Sequence, residues 1–146
     1  MPKIIAIHRF VLNDEVDPAA FEQFVKSDVF PGLSVVFQID KTLSRGLTKI
    51  DWLSSEHLLL RQGPQTDSAA TYLWMISAPV ADVQLSTLEG RRAVEEEAMD
   101  KAQSFFELGS TEDAIASVKL KPFAEWVSLQ TYMVAAGPLN AARRPS

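Results

Sequence analysis

Lys3-Ile4-Ile5-Ala6-Ile7-His8-Arg9-Phe10-Val11-Leu12, followed after a short turn by Asp17-Pro18-Ala19-Ala20-Phe21, decides how this chain is built. The first stretch is β-branched and apolar on both of its alternating faces, as a strand buried on two sides requires. Asn13-Asp14-Glu15 makes the turn. Asp17 then offers a carboxylate to the first free N–H groups of a helix, and Pro18 suits the first helical position. Phe21, Phe24, Val25 and Val29 recur at helical spacing and predict the stripe that packs on the sheet. Pro31-Gly32 is expected to end the helix, and residues 35–43 to return as a second strand.

The same order recurs later. Thr71-Tyr72-Leu73-Trp74-Met75-Ile76-Ser77 predicts a strand. Ser86-Thr87-Leu88-Glu89 fits a capping box that opens a helix running to about residue 108. Its expected core stripe is Leu88, Ala98, Met99, Ala102, Phe105 and Phe106. Glu95-Glu96-Glu97 is expected to face water, with Lys101 one turn beyond Glu97. Gly109 is a natural stop, and residues 126–135 read as the last strand. Two strand–helix–strand units, over 3–43 and 69–136, predict an α+β, ferredoxin-like split βαβ fold with a mainly antiparallel sheet and its helices on one face. Such a sheet keeps a second face that a partner must cover.

Between the units, Arg45-Gly46 reads as a turn, and residues 47–65 stay open between a strand extension and an inserted lid. Within them, residues 52–56 read as a short helix or irregular chain. Residues 57–61 read as a strand forming a hairpin with 71–77, across a loop at 63–68. A short extra helix is expected at 110–117. One domain is expected over 1–136, with a flexible tail at 137–146.

Composition narrows the function classes. The chain has 146 residues, 47% hydrophobic and 23% charged, which is the balance of a globular domain and not of a disordered one. A net charge of -5 gives no electrostatic footprint for nucleic acid or an anionic membrane. With no cysteine, disulfides, thiolate metal sites and cysteine nucleophiles are excluded. The apolar run at the start is short, interrupted by His8-Arg9, and lacks the small-residue pattern of a cleavage site. No stretch approaches the roughly 20 apolar residues that span a bilayer, so a cytoplasmic protein is expected.

The stretches Lys3-Ile4-Ile5-Ala6-Ile7-His8-Arg9-Phe10, Asp17-Pro18-Ala19-Ala20-Phe21-Glu22-Gln23-Phe24-Val25-Lys26 and Val29-Phe30-Pro31-Gly32-Leu33 together resemble the dimeric α/β barrel superfamily. That group includes the antibiotic-biosynthesis monooxygenases, the stress-responsive A/B barrel proteins and haem-degrading monooxygenases. The third strand, second helix and last strand are similar more loosely. The resemblance implies a homodimer whose two sheets face each other as a barrel, with a pocket between each sheet and its helices. The haem-degrading members take an axial histidine from the second helix. The helix expected at 86–108 contains none, so haem is not expected, nor any other cofactor.

His8 is the foremost candidate for chemistry. By strand alternation it shares a side with Ile4, Ala6 and Phe10. The resemblance places it where similar proteins project a polar Asn. There an imidazole serves as general base or hydrogen-bond partner, since its ordinary pKa lies near neutrality. Arg9 points the other way and needs a carboxylate if that face is buried, with Asp40 as the expected partner. Tyr72 and Trp74 share one side of their strand. Trp126, Gln130 and Tyr132 are expected to share one side of the last strand, and these five with His8 would line an aromatic, substrate-binding pocket. Plain core packing is the competing reading for all of them. His57 sits near Glu56 and Trp52, but no H-x-H or H-x-x-x-H spacing supports a metal site. No G-x-S-x-G, phosphate-loop or dinucleotide motif occurs. The expected function is a small-molecule-binding homodimer. Its catalytic form is a cofactor-independent monooxygenase acting on an aromatic or polyketide-like substrate, with His8 as base. The alternative is a non-catalytic dimeric ligand-binding or stress-response protein.

Overall fold

The computed structural model describes residues 2–44, 48–62, 70–106 and 123–135. It is an α+β structure around a four-stranded antiparallel sheet in the order β2-β3-β1-β4. The strands are β1 (Lys3–Leu12), β2 (Glu56–Arg61), β3 (Thr71–Pro79) and β4 (Ala124–Met133). The hairpin expected between residues 57–61 and 71–77 is present, with Leu58 opposite Met75 and Leu60 opposite Leu73. Residues 52–54 form a single 3-10 turn. The turn at Arg45-Gly46, the loop at 63–68, the stop at Gly109, the helix at 110–117 and the tail at 137–146 lie outside the described residues. None of the helices described is long and apolar enough to cross a membrane.

The first helix starts where the sequence places it. Asp17 caps α1 (Pro18–Phe24) by accepting from the Ala20 N–H at 3.0 Å. It does not end at Pro31-Gly32, and residues 35–43 are not a strand. The chain passes through a π-type turn, Val25–Val29, and continues as α2 (Phe30–Ser44). A proline inside a regular helix lacks a donor and crowds the carbonyl four residues back. The wider turn lies immediately before Pro31, where a local change of winding relieves that crowding. It also takes up the drift of an apolar series spaced by four, so that Phe21, Val25, Val29, Leu33 and Phe37 are all buried on one stripe. The second strand of the first unit is therefore β2, and Asp40 belongs to α2.

The second helical region is a short α3 (Asp82–Leu85) followed by α4 (Leu88–Phe106). Here the expected stripe needs correction at its start: Leu88 is 55% exposed, and among the side chains described in this helix the buried ones are Val94 and Ala98, those of Ala102, Phe105 and Phe106 lying outside the description. Both helical regions pack on one face of the sheet. That face carries Ile4, Ala6, His8, Phe10 and Leu12 from β1 and Tyr72, Trp74, Ile76 and Ala78 from β3, all buried. Phe21 meets the Phe10 and Tyr72 rings at 5.9 and 5.3 Å, and Phe30 meets Trp74 at 6.3 Å.

The opposite face holds Ile5, Ile7, Val11, Leu73 and Met75 half-buried, beside exposed Leu58 and Leu60. Arg9 lies there too and donates to the Gln62 side-chain oxygen at 2.7 Å. Its partner is this amide, and Asp40, the expected partner, lies on α2 and not on a strand.

A bulge between Arg9 and Phe10 changes the alternation of β4. Phe10 lies opposite Trp126, but Arg9 lies opposite Ser128, so Val127 is extra and stands 53% exposed. Trp126 consequently faces the helices, while Gln130 and Tyr132, opposite Ile7 and Ile5, face away from them. The expectation that these three share one side fails because one inserted residue inverts every side chain beyond it.

Candidate functional site

The polar chemistry behind the sheet centres on His8, Trp74 and His57. His8 and Trp74 are direct neighbours across β1 and β3, with ring centroids 5.6 Å apart, and each is only 1% exposed. His57 enters the same space from the edge strand β2, 5.6 Å from the Trp74 ring and stacked on Phe37 at 5.8 Å.

Hydrogen bonds decide what His57 can do. The Trp74 indole N–H donates to His57 Nδ1 at 3.0 Å. Nδ1 therefore carries no proton, and a neutral imidazole holds its hydrogen on Nε2. Nε2 lies 2.7 Å from Ser55 Oγ, and that hydroxyl donates to the Trp52 carbonyl at 2.5 Å. The direction runs indole to imidazole to hydroxyl to carbonyl. A nucleophilic serine needs the reverse, with its own proton pointing at the histidine. Ser55 and His57 are thus a structural relay that ties β2 to the 3-10 turn. Burial pulls the His57 pKa down to about 4, keeping the ring in the neutral form that the relay needs.

His8 is different because its polar atom is unused. Burial, reinforced by repulsion from His57, lowers its pKa to about 4, so the ring is uncharged near neutrality. Its Nδ1 has no hydrogen-bond partner among the described residues, and neither has the indole Nε1 of Trp126. Both lie on the helix side of adjacent strands, with Trp126 opposite Phe10, two residues along β1 from His8. A buried polar atom without a partner costs about 1–3 kcal/mol, so such groups call for a ligand or an ordered water.

The other expected pocket residues divide. The Tyr72 ring stacks on Phe10 at 5.7 Å, and its hydroxyl donates to Glu22 Oε2 at 2.7 Å. Arg61 pairs with the same carboxylate and lies 6.0 Å from the Tyr72 ring centroid. Burial and the bond to Glu22 push the phenol pKa up to about 12. Burial raises the Glu22 pKa, but the bonds from Arg61 and Tyr72 outweigh it and leave it lowered. Tyr72 is therefore committed to a latch joining α1 to β2 and β3. On the far face the Tyr132 hydroxyl donates to Gln130 Oε1 at 2.5 Å, separated from His8 by the sheet itself. Among the described residues no three His, Asp or Glu side chains converge as a metal site would require.

One organising residue was missed from the sequence. Glu97, expected to face water, accepts from the backbone N–H of Lys49 at 2.8 Å, from that of Ile50 at 2.9 Å and from the Trp52 indole at 3.1 Å. It anchors the segment that extends the sheet through the Ile50–Val80 bridge and the Asp51 N–H bond to the Pro79 carbonyl. Its position beside Ala98 and three residues after Val94, on the flank of the buried stripe, was the available signal. Replacing Glu97 by Gln keeps the shape but points an amide N–H₂ at donors. The expected loss is about 2 kcal/mol of unfolding free energy, read as a lower urea midpoint, and an unchanged midpoint would count against the clamp.

Comparison with known proteins adds no relative: no family model, no curated protein and no solved structure matches this chain.

Proposed function

We propose that the chain is a homodimeric, ferredoxin-like α/β barrel protein that binds a small aromatic or polyketide-like molecule on the helix side of its sheet. The observation that carries the ligand reading is the pair of unused polar atoms, His8 Nδ1 and Trp126 Nε1, on neighbouring strands in an apolar interior. A flat molecule with a carbonyl or hydroxyl group satisfies both while stacking on aromatic neighbours. The dimer reading rests on the apolar outer face, where Leu58 and Leu60 are 52% and 37% exposed beside Ile5, Ile7, Leu73 and Met75. The strand order β2-β3-β1-β4, antiparallel throughout, supports the split βαβ arrangement on which both readings draw.

Of the two roles considered for His8, the hydrogen-bonding one fits its surroundings better. A pKa near 4 makes the imidazole a weak proton acceptor, while leaving it neutral and able to orient a ligand. That favours the non-catalytic reading. Cofactor-independent oxygenation remains the catalytic reading, with the substrate passing a proton to His8 and its carbanion reacting with oxygen. Oxygen uptake with a panel of hydroxylated aromatics separates the two.

Titration with 2-naphthol, followed by tryptophan fluorescence, tests the site. His8→Phe and Trp126→Phe each remove one unused polar atom. Each is expected to weaken binding about tenfold while leaving stability equal or higher, because no bond within the protein is lost. Equal affinity in both variants would remove the assignment. Leu58→Asp is expected to convert a sedimenting dimer to a folded monomer, and a wild-type monomer at micromolar concentration would end the dimer reading.

A further inference from the structure

The unused atoms on the helix side of the sheet also restrict which chemical group a ligand brings to them. We propose, resting on the ligand reading above, that this site selects an uncharged hydroxyl group, which accepts from the Trp126 indole N–H and donates to His8 Nδ1.

Placement lets one group serve both atoms. Trp126 lies directly opposite Phe10, and His8 lies two residues along the same strand on the same side. Diagonal neighbours of this kind stand about 7–8 Å apart, within reach of aromatic side chains. Both polar atoms are buried and have no partner among the described residues.

Polarity sets the group. An indole nitrogen only donates, so the ligand atom that meets Trp126 has to accept. A neutral imidazole carries a lone pair on one nitrogen and a hydrogen on the other. Beside an indole donor the lone pair is favoured at Nδ1, because two N–H dipoles facing one ligand atom repel. A carbonyl or an ether then satisfies the indole and leaves Nδ1 unmet, whereas a hydroxyl meets both. Water offers the same two bonds, so a ligand group that reproduces only one of them loses affinity.

Charge excludes the acids. Among the described residues no Lys or Arg side chain is buried, and His8 is itself neutral at pH 7. A carboxylate or phenolate in this interior would find no cation in the described core, and an unpaired buried charge is costly.

Naphthalenes that differ in one substituent test the selection, titrated at pH 7 and followed by tryptophan fluorescence. 2-Naphthol is expected to saturate. 2-Methoxynaphthalene accepts but cannot donate, and is expected to bind about tenfold more weakly, with the 2-naphthoate anion weaker still. In His8→Phe the gap between naphthol and its methyl ether should close, because the acceptor is gone. A gap that persists there would mark a clash with the methyl group and overturn the assignment. In the wild type with 2-naphthol bound, nitrogen NMR should show His8 Nδ1 without a hydrogen and the Trp126 indole N–H shifted, a readout that needs no variant to fold. A hydrogen on Nδ1, equal affinity for naphthol and ether, or tighter binding of naphthoate would each overturn the selection while leaving the naphthol site standing. No saturable binding of naphthol would instead remove the site itself, and the selection with it.

Discussion

Lowering the pH from 7 to 4 is expected to remove about 6 kcal/mol of folding stability through two buried imidazoles. His8 and His57 each hold a pKa near 4 in the folded protein, against about 6.5 for an exposed imidazole. Between those values the unfolded chain binds more protons than the folded one, so stability falls as the pH falls. Above 6.5 both states are neutral at these rings and the contribution is complete. Each ring loses about 3 kcal/mol across the window, a large share of the 5–15 kcal/mol that typically holds a domain together. The cause is concrete for His57. A second proton on the ring would turn Nδ1 into a donor facing the Trp74 N–H, and the relay would fail. Urea unfolding at pH 7, 5.5 and 4 measures this directly. A midpoint that stays level from pH 6.5 to 5 would mean that the two rings are not neutral and buried.

Trp74→Ala is expected to cost about 4 kcal/mol, the range for truncating a large buried aromatic. Trp74 touches the rings of His8, His57 and Phe30, and the cavity left by its loss would open between β3 and α2. The milder Trp74→Phe isolates the polar part. It keeps most of the packing but withdraws the donor from His57 Nδ1, leaving that atom unpaired at about 1–3 kcal/mol. Since the indole N–H favours the neutral imidazole, its removal should raise the His57 pKa, visible by NMR titration of the ring protons. A His57 titration unmoved in Trp74→Phe would show that the indole does not hold it.

Legibility in the sequence followed the range of the interaction that decides each element. The capped start at Asp17-Pro18, the strand at β1 and the hairpin of β2 with β3 depend on residues close together along the chain. All three stand where the pattern places them. The helix through Pro31-Gly32 was misread because two local breakers outweighed a longer series, Val29, Leu33 and Phe37, that continues the buried stripe. The site was legible only in part. That His8 shares a face with Ile4, Ala6 and Phe10 follows from alternation alone, and the structure agrees. That Trp126 faces the helices while Gln130 and Tyr132 face away follows from a single inserted residue, Val127, to which the alternation pattern is blind.

Apolar spacing and capping chemistry were thus enough, read along the chain, to establish an α+β architecture, the inward face of β1 and the presence of an imidazole within it. Those properties are local, since each residue's side and each helix start depend on neighbours a few positions away. The partner of each polar atom needed the fold. Glu97 reaching back 45 to 48 residues, Trp74 donating to His57 across 17, and Gln62 meeting Arg9 across 53 are meetings of distant segments. A hydrogen bond depends on the direction and distance of two groups in space, and chain order specifies neither until the sheet has closed.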